Sequence, residues 1–97
     1  MSVPENENIF DSHVAKDIRR LPADIQEDLS VLLELLKENP YHSLLHTKRL
    51  SAPLQRLFSF RIGRNYRGGF KFYAPHTLLL LGVDRRDKIY GKLKRRI

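Results

Sequence analysis

Residues 57–67 read LFSFRIGRNYR, and this stretch determines how the second half of the chain folds. Apolar and polar side chains alternate from Phe58 to Ile62, and a period of two residues predicts a β-strand with one apolar face. The residues at 63–65 include the glycine and asparagine that are typical of a tight turn. The stretch therefore predicts the first strand and the turn of a β-hairpin.

The hairpin leads into two further strands. The second is predicted from Tyr66 to Tyr73, with its phenylalanines on the apolar face. After a short turn, residues 77–83 read TLLLLGV, and such an unbroken apolar run is typical of a strand covered on both faces. We therefore expect an antiparallel meander whose polar face forms a basic concavity with Ser59, Arg61, Arg67 and Lys71.

The N-terminal part of the chain has a helical pattern instead. Apolar residues between Val14 and Leu21 recur at helical spacing, with Ser12 as the expected N-cap. Pro22 ends this helix, because the residue before a proline disfavours the helical conformation. A leucine-rich helix follows and stops before Pro40. We expect two antiparallel helices of about 9 and 15 residues.

The remaining segments give weaker patterns. Residues 1–8 are polar and expected to be flexible, and residues 41–55 are expected to be irregular because Pro53 does not suit a central strand. Ile89 and Leu93 favour a short terminal helix. Together the patterns predict one α+β domain over residues 1–97, with an N-terminal helical hairpin packed on a twisted antiparallel sheet of three to four strands.

The composition fits one small domain and excludes several classes of protein. Hydrophobic residues make up 41% and charged residues 30% of the 97 residues, which is typical of a folded domain. The chain contains no cysteine, so disulfides, thiolate zinc sites and cysteine nucleophiles are excluded. No apolar run approaches the roughly 20 residues of a membrane helix, and no secretory signal is recognisable. We therefore expect a cytoplasmic protein that does not act at a membrane.

The charge is divided unevenly along the chain. The net charge is +7 at neutral pH, yet residues 1–44 carry a net charge of −5 and residues 45–97 a net charge of +12. A segment this basic attracts polyanions by contacting phosphates and releasing counterions. The second half therefore predicts a nucleic acid or an acidic protein as partner; the alternative is a merely solubilising surface.

Four segments resemble the RelE/ParE toxin superfamily, in order and over roughly residues 10–92. They are KDIRRLP at 16–22 before the leucine-rich helix, LLKENP at 35–40 with TKRL at 47–50, LFSFRIGRNYR at 57–67, and GVDRRDKIY at 82–90. The third segment is similar to the hairpin signature of this superfamily, and the fourth is similar to its closing strand.

The resemblance implies a small α+β fold, with an additional strand around residues 8–11 that pairs with the sheet. It also implies one of two activities. RelE-like members are ribosome-dependent endoribonucleases that cleave mRNA in the A site, whereas ParE-like members inhibit DNA gyrase. The implied partners are a cognate antitoxin, the ribosome and mRNA, with operator DNA bound only through the antitoxin complex.

The resemblance points to four candidate catalytic residues: Arg61, Arg67, Arg85 and Tyr90. In metal-free RNA cleavage the 2′-OH attacks the neighbouring phosphate, so the site needs cations around the developing negative charge. Arginine suits this role because its planar guanidinium binds two phosphate oxygens at once. Tyr90 matches a tyrosine that can stack on a base or assist proton transfer.

The other candidates are basic residues that would hold RNA: Lys48, Arg64, Lys71, Arg86, Lys94 and Arg95. Each has a structural alternative, because arginines in a hairpin often cover the sheet or pair with an acid, and the basic run at 92–96 could be a solvated helix face. The histidines lie outside the four segments, and we expect neither a metal nor a cofactor.

A few positions depart from the pattern of the superfamily. Asp84 stands where many ribonucleolytic relatives have histidine, and Ser59 where some have lysine, so no obvious proton acceptor is present. Gly68 and Gly69 interrupt the second strand and are expected to weaken it by about 1 kcal/mol. The first hypothesis is therefore a ribosome-dependent endoribonuclease, the second a ParE-like gyrase inhibitor, and the third an inactive relative that binds only an antitoxin and DNA.

Overall fold

The structure is a computed structural model, and it describes residues 6–97. This part of the chain forms one five-stranded sheet with helices on both faces. In chain order, the elements are β1 (Glu7–Phe10), α1 (Val14–Arg19), α2 (Ala23–Glu38), β2 (Lys48–Arg49), β3 (Phe58–Ile62), β4 (Tyr66–Ala74), β5 (Thr77–Arg85) and α3 (Ile89–Arg96).

The sheet is mixed, with the strand order β1-β5-β4-β3-β2. β1 runs parallel to β5, and the other neighbouring strands are antiparallel. The α+β class, the three strands of the meander and the terminal helix are confirmed. The prediction of an antiparallel sheet of three to four strands that follows the helices is wrong, because a strand precedes α1 and β2 adds a fifth. A strand of two residues is too short to give a sequence pattern.

The first strand bears on two expectations. The strand that the resemblance implied around residues 8–11 is present as β1. Glu7 and Asn8, which were expected to be flexible, therefore belong to the sheet; residues 1–5 of that segment lie outside the described residues. β1 pairs with β5 only as far as Leu80.

The two N-terminal helices differ in length more than predicted. α1 has six residues and α2 has sixteen. The N-cap of α1 is His13, not Ser12. The carboxylate of Asp11 accepts the His13 backbone N–H at 2.9 Å, and the Asp11 carbonyl accepts that of Val14 at 3.0 Å. Asp11 therefore starts the helix that the sequence assigned to Ser12.

Two apolar cores lie on opposite faces of the sheet. α1 and α2 cover one face, where the alternating residues of β3 and β4, such as Phe60 and Phe70, are fully buried. α3 covers the middle of the other face and inserts Ile89 and Leu93 into a second cluster. The open basic concavity predicted for this face is therefore wrong, and Ser59, one of its predicted members, is buried at 4% exposure.

The glycine pair of β4 allows both layers to approach the sheet closely. A Cβ added at Gly68 would lie 2.3 Å from ring carbons of Phe60, and one added at Gly69 would lie 2.6 Å from Leu93 Cδ1. Each glycine thus lies beneath a buried apolar side chain, one on each face. The expectation that the pair only weakens the strand omitted this packing.

Beyond the end of β1, polar side chains form hydrogen bonds with the backbone groups at the edge of β5. Asp17 Oδ2 accepts the Val83 backbone N–H at 3.1 Å, and Arg96 Nη1 donates to the Leu81 carbonyl at 2.9 Å. Backbone groups at a buried sheet edge need such partners, because an unpaired polar group is costly to bury. These contacts tie α1 and α3 to the same strand. Among the helices of residues 6–97, none combines the length and apolar character that crossing a bilayer requires.

Candidate functional site

Arg61 and Arg67 lie directly opposite each other on neighbouring strands of the hairpin. Strand parity places them on the face that α3 partly covers, beyond the end of the second apolar cluster. Arg67 Nη1 donates to the carbonyls of Tyr66 at 2.8 Å and Arg64 at 3.3 Å. The hairpin therefore holds one edge of this guanidinium in place.

Arg86 lies next to the hairpin turn, because its backbone N–H donates to the Asn65 carbonyl at 2.8 Å. Burial lowers the pKa of Arg67 below its ordinary value, and the positive charge of Arg61 lowers it further. Tyr90 opposes these effects, while Arg86 adds to them. Charges act on one another in this way only at short range. We define the arginine cluster as Arg61, Arg67 and Arg86.

Within the described residues, none of the ion pairs includes a member of the arginine cluster. Guanidinium groups that lie close together without an ion-paired carboxylate favour the binding of an anion. The geometry therefore fits a phosphate group, with Tyr90 available beside it for a base or a proton.

A groove of about 360 Å³ continues from Tyr90 along α3. Lys48 and Lys94 line it, above an apolar floor that includes Leu50 and Leu54. Lys48 is paired in the sheet with Ser59, which lies two residues before Arg61 on β3. The structure thus brings together Arg61, Arg67 and Tyr90 of the candidate catalytic residues and Lys48, Arg86 and Lys94 of the candidate RNA-binding residues.

Arg85 lies elsewhere. It pairs with Tyr66, which packs against the core on the face covered by α1 and α2. Strand parity therefore directs Arg85 to the opposite face from Arg67. Arg85 Nε lies 3.7 Å from a carboxylate oxygen of Asp87. The structure does not bring this candidate catalytic residue into the arginine cluster.

Three candidate RNA-binding residues also lie outside the cluster. Lys71 is on the same face as Arg67, but Gly69 and the overlying Leu93 lie between them. Arg64 is exposed in the hairpin turn, and Arg95 is exposed on α3.

Arg67 has two cross-strand neighbours, Arg61 on β3 and Asp84 on β5. Asp84 Oδ2 lies 2.9 Å from Lys92 Nζ, and Asp84 Oδ1 accepts the Arg85 backbone N–H at 2.7 Å. Burial raises the pKa of Asp84, but these hydrogen bonds outweigh burial and hold the pKa below its ordinary value. Asp84 is therefore an ion-paired carboxylate at neutral pH and a poor proton acceptor.

His46 is a residue that the sequence interpretation set aside. It lines a groove of about 360 Å³ together with Arg61, between α2 and the open edge of β3. Its backbone is left-handed, with φ at 49°. No periodicity marks a single histidine in a loop, so the sequence carries no signal for this placement. Within residues 6–97, no three His, Asp or Glu side chains are grouped so that they could hold a metal ion.

Comparison with known proteins gives a result at the level of structure only. The sequence matches no protein-family model and no curated protein. The toxin–antitoxin complex RelBE2 from Mycobacterium tuberculosis is similar over 87% of this chain and all of the matched chain, with a TM-score of 0.64 and 29% identity. The E. coli toxin RelE, solved as a mutant in the free state, is similar over 96% of this chain and 98% of its own, with a TM-score of 0.72 and 16% identity.

An archaeal structure gives the same picture. The RelB–RelE antitoxin–toxin complex from Methanococcus jannaschii is similar over 86% of this chain and 95% of the matched chain, with a TM-score of 0.69 and 21% identity. The structures span bacteria and archaea, and each is covered almost completely. The chain therefore has the fold of the RelE/ParE toxin superfamily, which confirms the resemblance seen in its sequence.

Proposed function

We propose that this chain is the toxin of a type II toxin–antitoxin pair, and that it is an endoribonuclease that cleaves mRNA on the ribosome. The observation that carries the proposal is the facing pair Arg61 and Arg67, which forms no ion pair with a carboxylate in the described part of the chain. Toxin–antitoxin proteins are also the structures to which the fold is similar.

The arginine pair would act on the reacting phosphate. Attack of the 2′-OH places additional negative charge on the phosphate oxygens, and preorganised cations stabilise that charge more than the charge of the ground state. Arg67 is held by two backbone carbonyls on one side, so it requires little reorganisation when the phosphate binds. Arg61 would bind the same phosphate from the next strand.

Proton transfer would rely on groups beside the arginine pair. Tyr90 is 39% exposed and lines the groove with Lys48 and Lys94, so it is suited to stack on a base or to assist proton transfer. His46 shares a groove with Arg61, and an imidazole can both accept and donate a proton. General acid–base assistance of this kind typically contributes about 10²–10⁴-fold in rate.

The partners follow from the charge of the site. The basic groove of Lys48 and Lys94 would contact ribosomal RNA or mRNA, and an antitoxin would neutralise the toxin by covering the positive face. The acting protein would then be cytoplasmic, where ribosomes are found, and operator DNA would be bound through the antitoxin complex. Arg85, Lys71, Arg64 and Arg95 would contribute from outside the arginine cluster.

One observation favours a second candidate, a ParE-like inhibitor of DNA gyrase that does not cleave RNA. Asp84 is engaged by Lys92, and Ser59 is buried, so neither supplies the base that an active nuclease needs. The arginine cluster would then bind an acidic surface of the target instead of a reacting phosphate.

The test is to map transcript ends in cells shortly after the protein is induced. We expect new 5′-OH ends at regular positions within codons, and we expect Arg67→Ala to abolish both the new ends and the growth arrest. Lys16→Ala is the matched control, because it removes an exposed cation from α1, which covers the opposite face of the sheet, and we expect it to leave both in place. Growth arrest with intact transcripts and DNA damage signalling would support gyrase inhibition. Unchanged toxicity of Arg67→Ala would refute this site.

A further inference from the structure

α3 presents its side chains in three directions. Each direction is marked by a pair of residues four positions apart, which lie above one another on a helix. One pair enters the apolar cluster, one lines the basic groove and one reaches toward α1: Ile89 with Leu93, Tyr90 with Lys94, and Lys92 with Arg96. The rotation of α3 about its own axis therefore decides where Tyr90 lies.

Asp17 is the group that α3 reaches. This carboxylate projects from α1, and its side chain is only 2% exposed. Arg96 donates to both of its oxygens, with Nη1 2.6 Å from Oδ2 and Nη2 3.0 Å from Oδ1. Lys92 Nζ lies 3.0 Å from Oδ1. A fork of this kind fixes the direction as well as the distance of the arginine.

The same contacts reach the strand that borders the arginine cluster. Asp17 Oδ2 also accepts the Val83 backbone N–H, and Lys92 bridges from Asp17 to Asp84 at 2.9 Å. Asp84 in turn lies opposite Arg67 in the sheet. Asp17 thus forms hydrogen bonds to both α3 and the end of β5, and these bonds fix the two elements relative to each other.

Apolar packing by itself does not fix the rotation of α3 about its own axis. Ile89 and Leu93 bury the helix against the sheet, but apolar contact is not directional. Hydrogen bonds from two side chains on one flank remove the remaining freedom to roll. The opposite flank is the one that carries Tyr90 and Lys94 into the groove.

We propose that Asp17 is a positioning residue for the candidate active site: by holding Lys92 and Arg96, it sets the rotation of α3 and so places Tyr90 in the basic groove. Its effect on cleavage rests on the proposed function, whereas its effect on the place of Tyr90 does not. Asp17 itself does not contact the arginine cluster. It acts through the helix.

The position of Tyr90 can be measured without any assay of activity. The full chain is produced with 3-fluorotyrosine, and Tyr90→Phe identifies the fluorine resonance of Tyr90. We expect Asp17→Asn to shift or broaden this resonance while leaving that of the distant Tyr73 unchanged. Asp24→Asn, which removes an exposed acid from α2, is the matched control and leaves all resonances in place. If Asp17→Asn does not fold, Arg96→Gln removes one arm of the same contact.

Cleavage kinetics on ribosome-bound mRNA provide the second measurement. We expect Asp17→Asn to lower the single-turnover rate by about ten- to a hundredfold, as misplacement of a catalytic group does, with little change in the ribosome concentration that gives half the maximal rate. Arg96→Gln is expected to behave alike, and the double variant is expected to be no slower than Asp17→Asn, because both residues act through one contact.

The outcomes separate the two proposals. An unchanged Tyr90 resonance in folded Asp17→Asn overturns the positioning role, and so does a slower rate without any change in that resonance. A displaced Tyr90 resonance in a protein whose wild type leaves mRNA intact supports the positioning role and refutes the nuclease.

Discussion

The side chain of Leu93 lies directly over Gly69, so close that a Cβ added at Gly69 would approach Leu93 Cδ1 to 2.6 Å. This contact sets the path of α3 across the sheet. It also divides the polar face of β4, with Arg67 on one side of the helix and Lys71 on the other. The anion site is consequently smaller than the row of basic residues along β4 would indicate.

Gly69→Ala tests this contact. Leu93 is fully buried and has no room to withdraw, so we expect the added methyl group to lower the free energy of unfolding by about 1–3 kcal/mol. Urea unfolding of the two proteins gives the difference. Gly91→Ala is the matched control, because its new Cβ would meet only Arg95 Nη1, at 3.7 Å. Gly91 is an exposed position of α3, and there the exchange of glycine for alanine is expected to raise the free energy of unfolding by about 0.5–1 kcal/mol. A neutral Gly69→Ala would contradict the close packing.

Arg85 and Arg86 are adjacent in the chain but differ in the face they serve. The positive charge of Arg86 lowers the pKa of Arg67. Arg85, in contrast, pairs with Tyr66 in the sheet and lies near Asp87. We expect Arg86→Ala to reduce the rate of mRNA cleavage by about tenfold, less than the roughly hundred- to thousandfold typical of a group that binds the developing charge directly, and Arg85→Ala to reduce it less. Initial rates of both purified variants decide the order. The reverse order would show that the resemblance placed Arg85 correctly and that Arg85 reaches the phosphate despite its strand parity.

Acid is expected to destabilise the attachment of α3. Burial raises the pKa of Asp17, but hydrogen bonds from Arg96, Val83 and Lys92 outweigh it, so the pKa lies below its ordinary value of 3.8. A carboxyl group with a depressed pKa stabilises the folded state above its unfolded pKa, and that stability is lost as the pH falls through the folded pKa. Asp84, which faces Lys92 from β5, acts in the same direction.

The measurement for this prediction is the free energy of unfolding of wild type and Asp17→Asn between pH 7 and pH 3. At pH 7 we expect the variant to be less stable by about 3–5 kcal/mol, because Arg96 and Lys92 lose a buried partner. The difference is expected to narrow as the pH falls below the ordinary carboxyl pKa of 3.8, because unfolded wild type then binds a proton that the folded carboxylate does not. A difference that stays constant down to pH 3 would show that the charge of Asp17 does not stabilise the fold.

Ribosome binding is expected to weaken steeply with salt, because contacts to phosphates release counterions. Lys48 and Lys94 line the groove beside Tyr90, so replacing either with alanine should reduce the slope of log K against log salt by about one. Lys16→Ala, which removes an exposed cation from α1, is expected to leave the slope unchanged. Equal slopes for all four proteins would place the ribosome contact elsewhere.

Strand parity made much of the fold and part of the site predictable from local sequence. The alternation around Arg61 placed it on the same face as Arg67, and the hairpin register confirms that they are neighbours. Helical spacing likewise predicted α2 and α3. These features depend on residues close in the chain, where a period of two or of 3.6 is visible directly.

The remainder depended on contacts between residues distant in the chain. β1 pairs with β5 some seventy positions later, as the register of Glu7 with Thr77 shows, and only the resemblance pointed to it. The arrangement of α3 over Gly69 was equally invisible, because a short amphipathic helix does not specify which part of a sheet it covers. No local pattern links Asp17 to Arg96.

Periodicity and charge are properties of the chain alone, and they were enough to predict the helices, the three strands of the meander and the basic character of the second half. Three-dimensional packing determines which cations gather around Arg67 and which are separated from it by Leu93. The physical reason is that burial and charge repulsion depend on three-dimensional packing. A buried carboxylate on α1 fixes that packing by holding α3 in place.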